Sequence, residues 1–327
     1  STPGVHANKQ GGGFGDSEIY MRGFDNSNIA MMVNGVPMND MEWGGVYWSN
    51  WAGLSDVARS IQTQRGLGAS KVSAPSVGGT INIVTRNLDA KKGGFLSYGM
   101  GNDGMNKILF SVSSGITKNG WAFTLMGGKN WGNGYIQGTA FEGYNWFASI
   151  SKRINEEHQL TLTAFGAPQW HDQRNSSYGG LTIADWKMVE TVYGVKDHKY
   201  NPTFGYRSNG ESYNSYRNSY HKPLISLNHQ WQINSKSSLS TSLYVSLGRG
   251  SGFSGQGNTE FSPYSYTSWR GAYKGTLYDT FRRSDGTFDY AAIEEINRTS
   301  EYGSALIAAR SNNSHDWYGL LSTYTTK

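Results

Sequence analysis

The residue types that most often carry catalysis are sparse in this sequence. Cysteine is absent, and the seven histidines are dispersed with no His-x-x-x-His pair or other metal-ligand spacing. His171-Asp172 lies in a long polar segment, where we interpret the histidine as a surface residue. The glycine runs 11–13 and 127–128 lack the strand-turn-helix context of a phosphate-binding loop. We therefore predict no catalytic residue, no metal site and no cofactor.

Segment 41–51 has a composition suited to binding. It holds four large rings among glycines: Trp43, Tyr47, Trp48 and Trp51. Aromatic rings surrounded by small residues can stack on a sugar, a flat chelate or an apolar ligand face. The same rings would also pack well against a surrounding protein wall. Both roles stay open for this segment.

The composition of the 327 residues points to an all-β protein. Aromatic residues reach 14%, which argues against disorder, and no apolar run is long enough for a membrane-spanning helix. The 43 glycines and the low charge content of 16% are atypical of an α/β enzyme. The net charge is +5, but the basic residues are scattered, so we predict no nucleic-acid partner.

From Gly93 onward, apolar and polar residues alternate with a period of two, which predicts β-strands. In 237–249, aliphatic side chains alternate with serines and a glycine. The polar face of the strands is small and uncharged, which suits a lumen better than a soluble exterior. Strands are predicted at 93–102, 106–117, 120–131, 144–154, 158–167, 224–233, 237–249 and 315–325.

Short and long connections alternate between these strands. Tight turns are expected at 118–120, 155–157 and 234–236, and long connections at about 131–143, 168–219 and 250–314. A transmembrane β-barrel has this asymmetry, with short periplasmic turns and long extracellular loops. A soluble β-sandwich or lectin is the alternative interpretation of the alternation.

Two helices are predicted inside the long connections. Thr182 with Asp185 forms a capping box ahead of an amphipathic stretch that reaches Val192. Asp289 caps the stretch 290–297, and 304–310 is expected to continue that helix.

Residues 1–90 are more irregular and glycine-rich. They contain predicted strands at 19–24, 29–33, 60–64 and 80–85, a turn at Asn34-Gly35 and a helical turn within 53–58. The order of the pieces resembles the plug domain of TonB-dependent outer-membrane receptors. The matching stretches are Thr2-Pro3-Gly4-Val5, Tyr20-Met21-Arg22-Gly23-Phe24, Met32-Val33-Asn34-Gly35-Val36-Pro37, Gln64-Arg65-Gly66 and Gly78-Gly79-Thr80-Ile81-Asn82-Ile83-Val84-Thr85. The family commonly has Asp where this chain has Asn34.

The resemblance implies a mixed α/β plug over 1–90 inside a transmembrane antiparallel β-barrel whose first part is 91–327. An eight-stranded barrel is filled by its own side chains, whereas plugged lumens belong to barrels of about 22 strands. We therefore expect this chain to be an internal piece of a receptor, with about eight of its strands.

The resemblance also implies site residues. Plug arginines of the family pair with barrel carboxylates, a role that would fall to Arg22, Arg65 and Arg86. Ligand-facing positions lie on the plug apices, which correspond here to Asn26, Ser27, Asn28, Glu42, Trp43, Tyr47 and Trp48.

The expected function is TonB-dependent import across the bacterial outer membrane. The expected partners are the inner-membrane TonB complex, the lipid bilayer, an extracellular small-molecule or oligomer ligand and a surface lipoprotein. A non-transporting outer-membrane barrel, such as a porin or an adhesin, is the alternative.

Overall fold

The computed structural model describes most of the chain. The described residues are 3–9, 14–15, 17–66, 76–86, 88, 90–174, 181–257, 272–273, 276–277, 281–301, 303–304 and 306–326. The glycine run 11–13 and the residue Thr2 of the first matching stretch lie outside them.

The N-terminal part, called the plug here, is a small mixed domain. Its elements are β1 (Val5–Lys9), β2 (Ser17–Met21), a 3₁₀ turn (Asn26–Asn28), β3 (Ile29–Val33), β4 (Val36–Pro37), a second 3₁₀ turn (Trp48–Trp51), α1 (Leu54–Val57), β5 (Ala58–Arg65) and β6 (Gly79–Thr85). A four-stranded sheet has the order β4-β3-β6-β5, with β3 and β6 parallel. The predicted pieces are all present, and β1, which pairs with β2, is an addition.

Asn34 and Gly35 form the predicted turn between β3 and β4. Both have positive φ, 52° and 82°, as a two-residue hairpin of this twist requires. The Asn34 amide also donates to Oγ1 of Thr85 at 2.9 Å, and its Oδ1 accepts from the Thr85 amide at 2.9 Å. An asparagine therefore both fits the turn and ties the hairpin to β6.

The rest of the chain is built around one large antiparallel sheet, called the barrel sheet here. In chain order the elements are β7 (Gly93–Met100), β8 (Asn106–Ser113), β9 (Trp121–Gly132), β10 (Phe141–Arg153), β11 (His158–Gly166), β12 (Gln169–Asp172), α2 (Ile183–Tyr193), β13 (Phe204–Tyr206), β14 (Ser212–Asn214), β15 (Arg217–His221), β16 (Leu224–Gln232), β17 (Ser237–Gly257), β18 (Ala272–Tyr273), β19 (Thr276–Leu277), β20 (Phe288–Asp289), α3 (Tyr290–Thr299) and β21 (Leu306–Thr326).

The ten strands of the barrel sheet make eight passes in meander order. Pro168 divides one pass into β11 and β12, and Pro223 divides the next into β15 and β16, because proline cannot donate to the hydrogen-bonded ladder. The eight predicted strands therefore match eight passes. The connections expected at 168–219 and 250–314 are shorter than predicted, since β12, β15 and the long ends of β17 and β21 occupy their margins.

The two faces of the barrel sheet differ as the alternation predicts. Phe123 and Leu125 of β9 are exposed on the outer face, while Thr124 between them is buried. The same holds along the other strands, where the covered side chains are mostly small and polar: Ser149, Ser151, Thr161, Thr163, Ser226, Ser242 and Ser246.

The plug packs against the inner face of this sheet. One continuous apolar cluster joins plug residues such as Met31 and Trp51 to side chains from five successive strands: Leu109, Met126, Phe147, Phe165 and Leu224. The Trp51 and Phe165 rings lie 5.6 Å apart. The sequence interpretation assigned hydroxyls to the inner face and overlooked these larger contacts. Plug side chains also reach Lys107 of β8 and His315 of β21, which lie near opposite edges of the sheet, so the sheet curves around the plug.

The connections at one end of the barrel sheet, called the loop end here, contain folded structure. The predicted helix α2 begins at a capping box of Thr182 and Asp185, and Asp289 caps α3. The expectation that 304–310 continues α3 is wrong, because β21 begins at Leu306 and pairs with β17 over its whole length. The opposite end, called the turn end, has the short connections 114–120, 154–157 and 233–236. Among the described residues, no helix is long and apolar enough to cross a membrane.

Candidate functional site

The site begins with a tight plug loop between β4 and the second 3₁₀ turn. Oδ1 of Asp40 accepts from the backbone amides of Glu42 and Trp43, at 2.9 and 3.3 Å. The loop closes with the Asp40 amide donating to the Gly45 carbonyl. Buried Asn39 fastens it to the plug sheet, since its amide donates to the carbonyls of Ile29 and Gly44.

The absence of a side chain at Gly45 leaves the space that the Trp43 ring occupies. A Cβ on Gly45 would lie 2.0 Å from two atoms of that ring, so no other residue type fits without moving it. Trp43 and Tyr47 then lie with ring centroids 5.0 Å apart, tilted by 54°. Both rings are roughly half exposed, at 42% and 47%. They form an aromatic pair with an accessible face.

The barrel sheet supplies the opposite wall. Alternate residues of β15 and of the segment after it, Asn218, Tyr220 and Lys222, share one face with Asn313 and His315 of β21. The Tyr220 ring lies against Gly250 of β17. A Cβ at that position would come within 1.8 Å of the ring. The glycines of β17 therefore let this ring line the wall.

Together these residues enclose a cavity of about 360 Å³ between plug and barrel sheet. That volume is within the range of small-molecule sites. Its walls are hydroxyl, amide, charged and aromatic groups: Asp40, Glu42, Trp43, Tyr47, Ser49, Asn50, Asn218, Tyr220, Lys222, Ser251, Asn313, Ser314 and His315. Such a lining can hydrogen-bond a polar ligand and stack on its ring.

The charges in the cavity are unevenly matched. Oδ2 of Asp40 lies 3.8 Å from Nδ1 of His315, so one plug carboxylate faces one barrel imidazole. Lys222 is 5% exposed, and its Nζ lies 5.7 Å from the centroid of the Trp317 ring. Among the described residues, its ammonium group has no hydrogen bond or ion pair. The buried Lys222 side chain therefore gives the cavity wall a positive charge without a direct partner among the described residues.

The expected ligand-facing residues of segment 41–51 fall into two groups. Glu42, Trp43 and Tyr47 line the cavity, whereas Trp48 packs on the main apolar cluster beside it. Within the described structure, the Trp48 indole N–H is buried and has no hydrogen-bond partner. The rings of Trp48 and Trp51 thus pack in the protein interior, whereas the rings of Trp43 and Tyr47 remain accessible.

The 3₁₀ turn at Asn26–Asn28 stands apart from the cavity lining. Asn26 is buried, and its Oδ1 accepts from the Ile19 amide at 2.8 Å, so it holds the plug together. Ser27 and Asn28 donate to the Asp25 carboxylate, and these hydrogen bonds hold the pKa of Asp25 below its usual value. Asp25 thus caps this turn, as an N-cap does.

The three arginines form no ion pair among the described residues. Arg65 donates to the Pro3 carbonyl at 3.3 Å, and the Arg22 guanidinium lies close to Gly66. Arg86 lies near Lys91 and Lys92 at the turn end.

The plug–barrel ion pair has the opposite polarity, with the acid on the plug. Nζ of barrel Lys107 lies 2.8 Å from both oxygens of plug Asp56, which also accepts from Asn145 at 3.4 Å.

His171 is not a surface residue. It is 1% exposed, and its ring lies between the Gln169 and Gln173 side chains, at 2.7 and 2.9 Å. Its burial follows from β12, which turns the side chain to the same face as Gln169. Among the described residues, no group of three or more His, Cys, Asp or Glu side chains could hold a metal ion.

Sequence reasoning missed most of the barrel wall of the cavity. Asn218 fell in the loop expected at 168–219, and Tyr220 fell between that loop and the strand predicted at 224–233. The last strand was predicted to begin only at His315, with Asn313 left in a loop. The two-residue spacing of Asn218, Tyr220 and Lys222 is the signal that could have found them, since it places three polar or aromatic groups on one face of a strand.

The fold defines the class: an antiparallel barrel sheet curved around an N-terminal plug, with a polar cavity at the junction. Residues 1–80 match the TonB-dependent receptor plug domain family. The N-terminal quarter of the chain is therefore similar to the plug domain of TonB-dependent receptors.

Two curated relatives match about half of the chain. The vitamin B12 transporter BtuB of Vibrio vulnificus is 24% identical over 177 residues, which is 52% of this chain. The BtuB of Photobacterium profundum is 30% identical over 189 residues, or 54% of the chain. The matched segments span 28% and 30% of those two proteins, so the chain covers less than a third of their length.

Solved structures share the fold at low identity. The unliganded ferric citrate transporter FecA superposes with a TM-score of 0.56 at 20% identity, over 77% of this chain and 36% of FecA. The open form of the ferric-catecholate import receptor Fiu from E. coli K12 gives 0.56 at 14% identity, over 98% of this chain and 42% of Fiu.

Proposed function

We propose that the protein imports a ligand across the bacterial outer membrane, with the plug as the gate. The observation that carries the proposal is the position of the plug on the polar inner face of a sheet whose outer face is apolar. A pore filled in this way must move its plug to pass a solute. Energy would come from the TonB complex of the inner membrane.

The outer face of the sheet supports a membrane location. On β9, Trp121 and Trp131 share the outward-facing register, with Phe123 and Leu125 between them. Ten residues span about 33 Å of strand, which at a tilt of about 40° is about 25 Å. That height equals the apolar band of outer-membrane barrels, whose edges carry aromatic girdles. The loop end would then face the exterior, where a surface lipoprotein could dock.

Relatives favour transport over a passive role. The curated relatives are named vitamin B12 transporters, and the similar structures include iron-complex importers. The cavity lies at the loop end of the plug, where an incoming ligand meets it first. We therefore assign ligand capture to the cavity and gating to the plug beneath it.

The test compares the full-length receptor with a variant lacking residues 1–90, both in planar lipid bilayers. A gating plug predicts a closed wild type and large, stable conductance for the deletion. A porin would conduct with the segment in place, and an adhesin would change little on its removal; either result would refute the proposal. Ligand uptake by cells with and without TonB tests the energy source.

A further inference from the structure

We propose that the ligand captured by the cavity carries an acidic group, which Lys222 receives, and a ring, which Trp43 and Tyr47 contact. This inference rests on the proposed function and specifies its substrate class. It starts from Lys222, a buried ammonium group that the fold directs into a cavity instead of toward an anion.

An unpaired buried charge is costly, and proteins normally pair it or expose it. Lys222 is 5% exposed and has neither an ion pair nor a hydrogen bond among the described residues. Its Nζ lies 5.7 Å from the centroid of the Trp317 ring, and the Asp40 carboxylate acts on it only at a distance beyond ion-pair contact. A cation held in this way is ready to gain a strong partner when an anion enters the cavity.

The carboxylates of the cavity do not satisfy Lys222. Oδ1 of Asp40 already accepts from two backbone amides, and Oδ2 faces His315. Glu42 is exposed at the rim. Asp40 therefore acts on Lys222 through space, but among the described residues neither acid forms an ion pair with it.

The ring of the proposed ligand is inferred from the two aromatic residues at the rim of the cavity. The Trp43 and Tyr47 rings leave about half of their surface accessible, and Gly45 fixes the position of Trp43. Amide and hydroxyl groups, among them those of Asn50, Asn218 and Asn313, line the same cavity as the rings and Lys222. A ligand with a ring, hydroxyl groups and one acidic group matches this lining, whereas a neutral isostere leaves Lys222 unpaired.

A matched pair of probes tests the acidic group. Binding of 4-nitrophenyl β-D-glucuronide and of 4-nitrophenyl β-D-glucoside to the full-length receptor is measured by calorimetry. The two differ by a carboxylate in place of a hydroxymethyl group. We expect the glucuronide to bind at least about tenfold more tightly, the size of one charge-assisted hydrogen bond. No binding of the glucuronide, or equal binding of both probes, overturns the inference.

Variants identify the residue responsible. Lys222→Met has nearly the same volume and removes a buried charge, so it should fold and lose the discrimination; Lys222→Arg should keep it. Lys152→Met is the matched control, because Lys152 contacts Trp121 on the outer face. Discrimination that survives in Lys222→Met overturns the assignment. Conductance of the plug deletion is unaffected by either result, so the gating proposal is judged separately.

Discussion

The ion pair between Asp56 and Lys107 should measurably hold the plug in the barrel sheet. The ammonium nitrogen lies 2.8 Å from both carboxylate oxygens, and the side chains are 15% and 36% exposed, respectively. Hydrogen bonds to charged groups contribute about 1.5–3 kcal/mol, while fully exposed ion pairs contribute about 0.2–1 kcal/mol. For this half-covered pair we expect a coupling of about 1–2 kcal/mol, or a factor of about 5–30 in plug displacement.

The measurement is a double-mutant cycle on the full-length receptor. Asp56→Asn, Lys107→Met and the double variant are placed in planar bilayers, and the urea concentration that opens the channel is recorded for each. Both single variants should open at lower urea than wild type. The double variant should open at higher urea than the sum of the single effects predicts, because the second change no longer breaks an intact pair.

Lys129→Met provides a matched control. The Lys129–Glu142 pair is also 2.8 Å long, but both residues belong to the barrel sheet and lie on its outer face, away from the described plug residues. Breaking it should leave the opening midpoint unchanged. A coupling between Asp56 and Lys107 below about 0.3 kcal/mol would refute the reasoning. So would a Lys129→Met variant whose opening midpoint falls as far as that of Lys107→Met.

Two further predictions concern the loops. Hydrogen bonds from Ser208 and from the guanidinium of Arg207 lower the pKa of Glu294 from 4.5 to about 2. The stabilisation is therefore complete above pH 4.5 and is lost as the pH falls toward 2; hydrogen exchange of α3 should rise over that range, and Glu294→Gln should abolish the dependence. Gly45→Ala should displace the Trp43 ring and shift its fluorescence with little loss of stability, whereas Gly99→Ala, with no atom within 4 Å of the new Cβ, should not. Unchanged fluorescence in Gly45→Ala would contradict the crowding at that site.

The architecture was predictable because it depends on local, periodic signals. Alternation fixes which side of a strand is covered, and capping residues such as Thr182 and Asp289 fix where helices begin. The wrong predictions fall where pairing between strands outweighs the local preference of the sequence. The segment 304–310 reads as helical by itself, yet most of it forms β21 because β17 is long enough to pair with it.

The site was harder to predict, since it joins segments far apart in the chain. Asp40 and His315 meet across the plug–barrel boundary, and no local pattern relates them. Resemblance to the family pointed to the plug loop that lines the cavity, but it suggested arginines as the ion-pairing groups. In this chain the acid is Asp56 and the base is Lys107, a choice that only the packed structure shows.

The composition of the plug–barrel boundary bears on how a plug with the proposed gating role can be held in place and still move. An apolar cluster supplies the adhesion, and hydrophobic contact is non-directional, so it tolerates sliding. The polar inner face adds little specific attachment: the Thr163 and Ser246 hydroxyls are buried without hydrogen-bond partners among the described residues. Directional attachment of the plug to the barrel sheet comes from ion pairs such as Asp56–Lys107 and Asp40–His315. The second pair lies in the cavity wall, so a ligand that engages Asp40 or His315 would weaken one restraint on the plug and thereby couple occupancy to release.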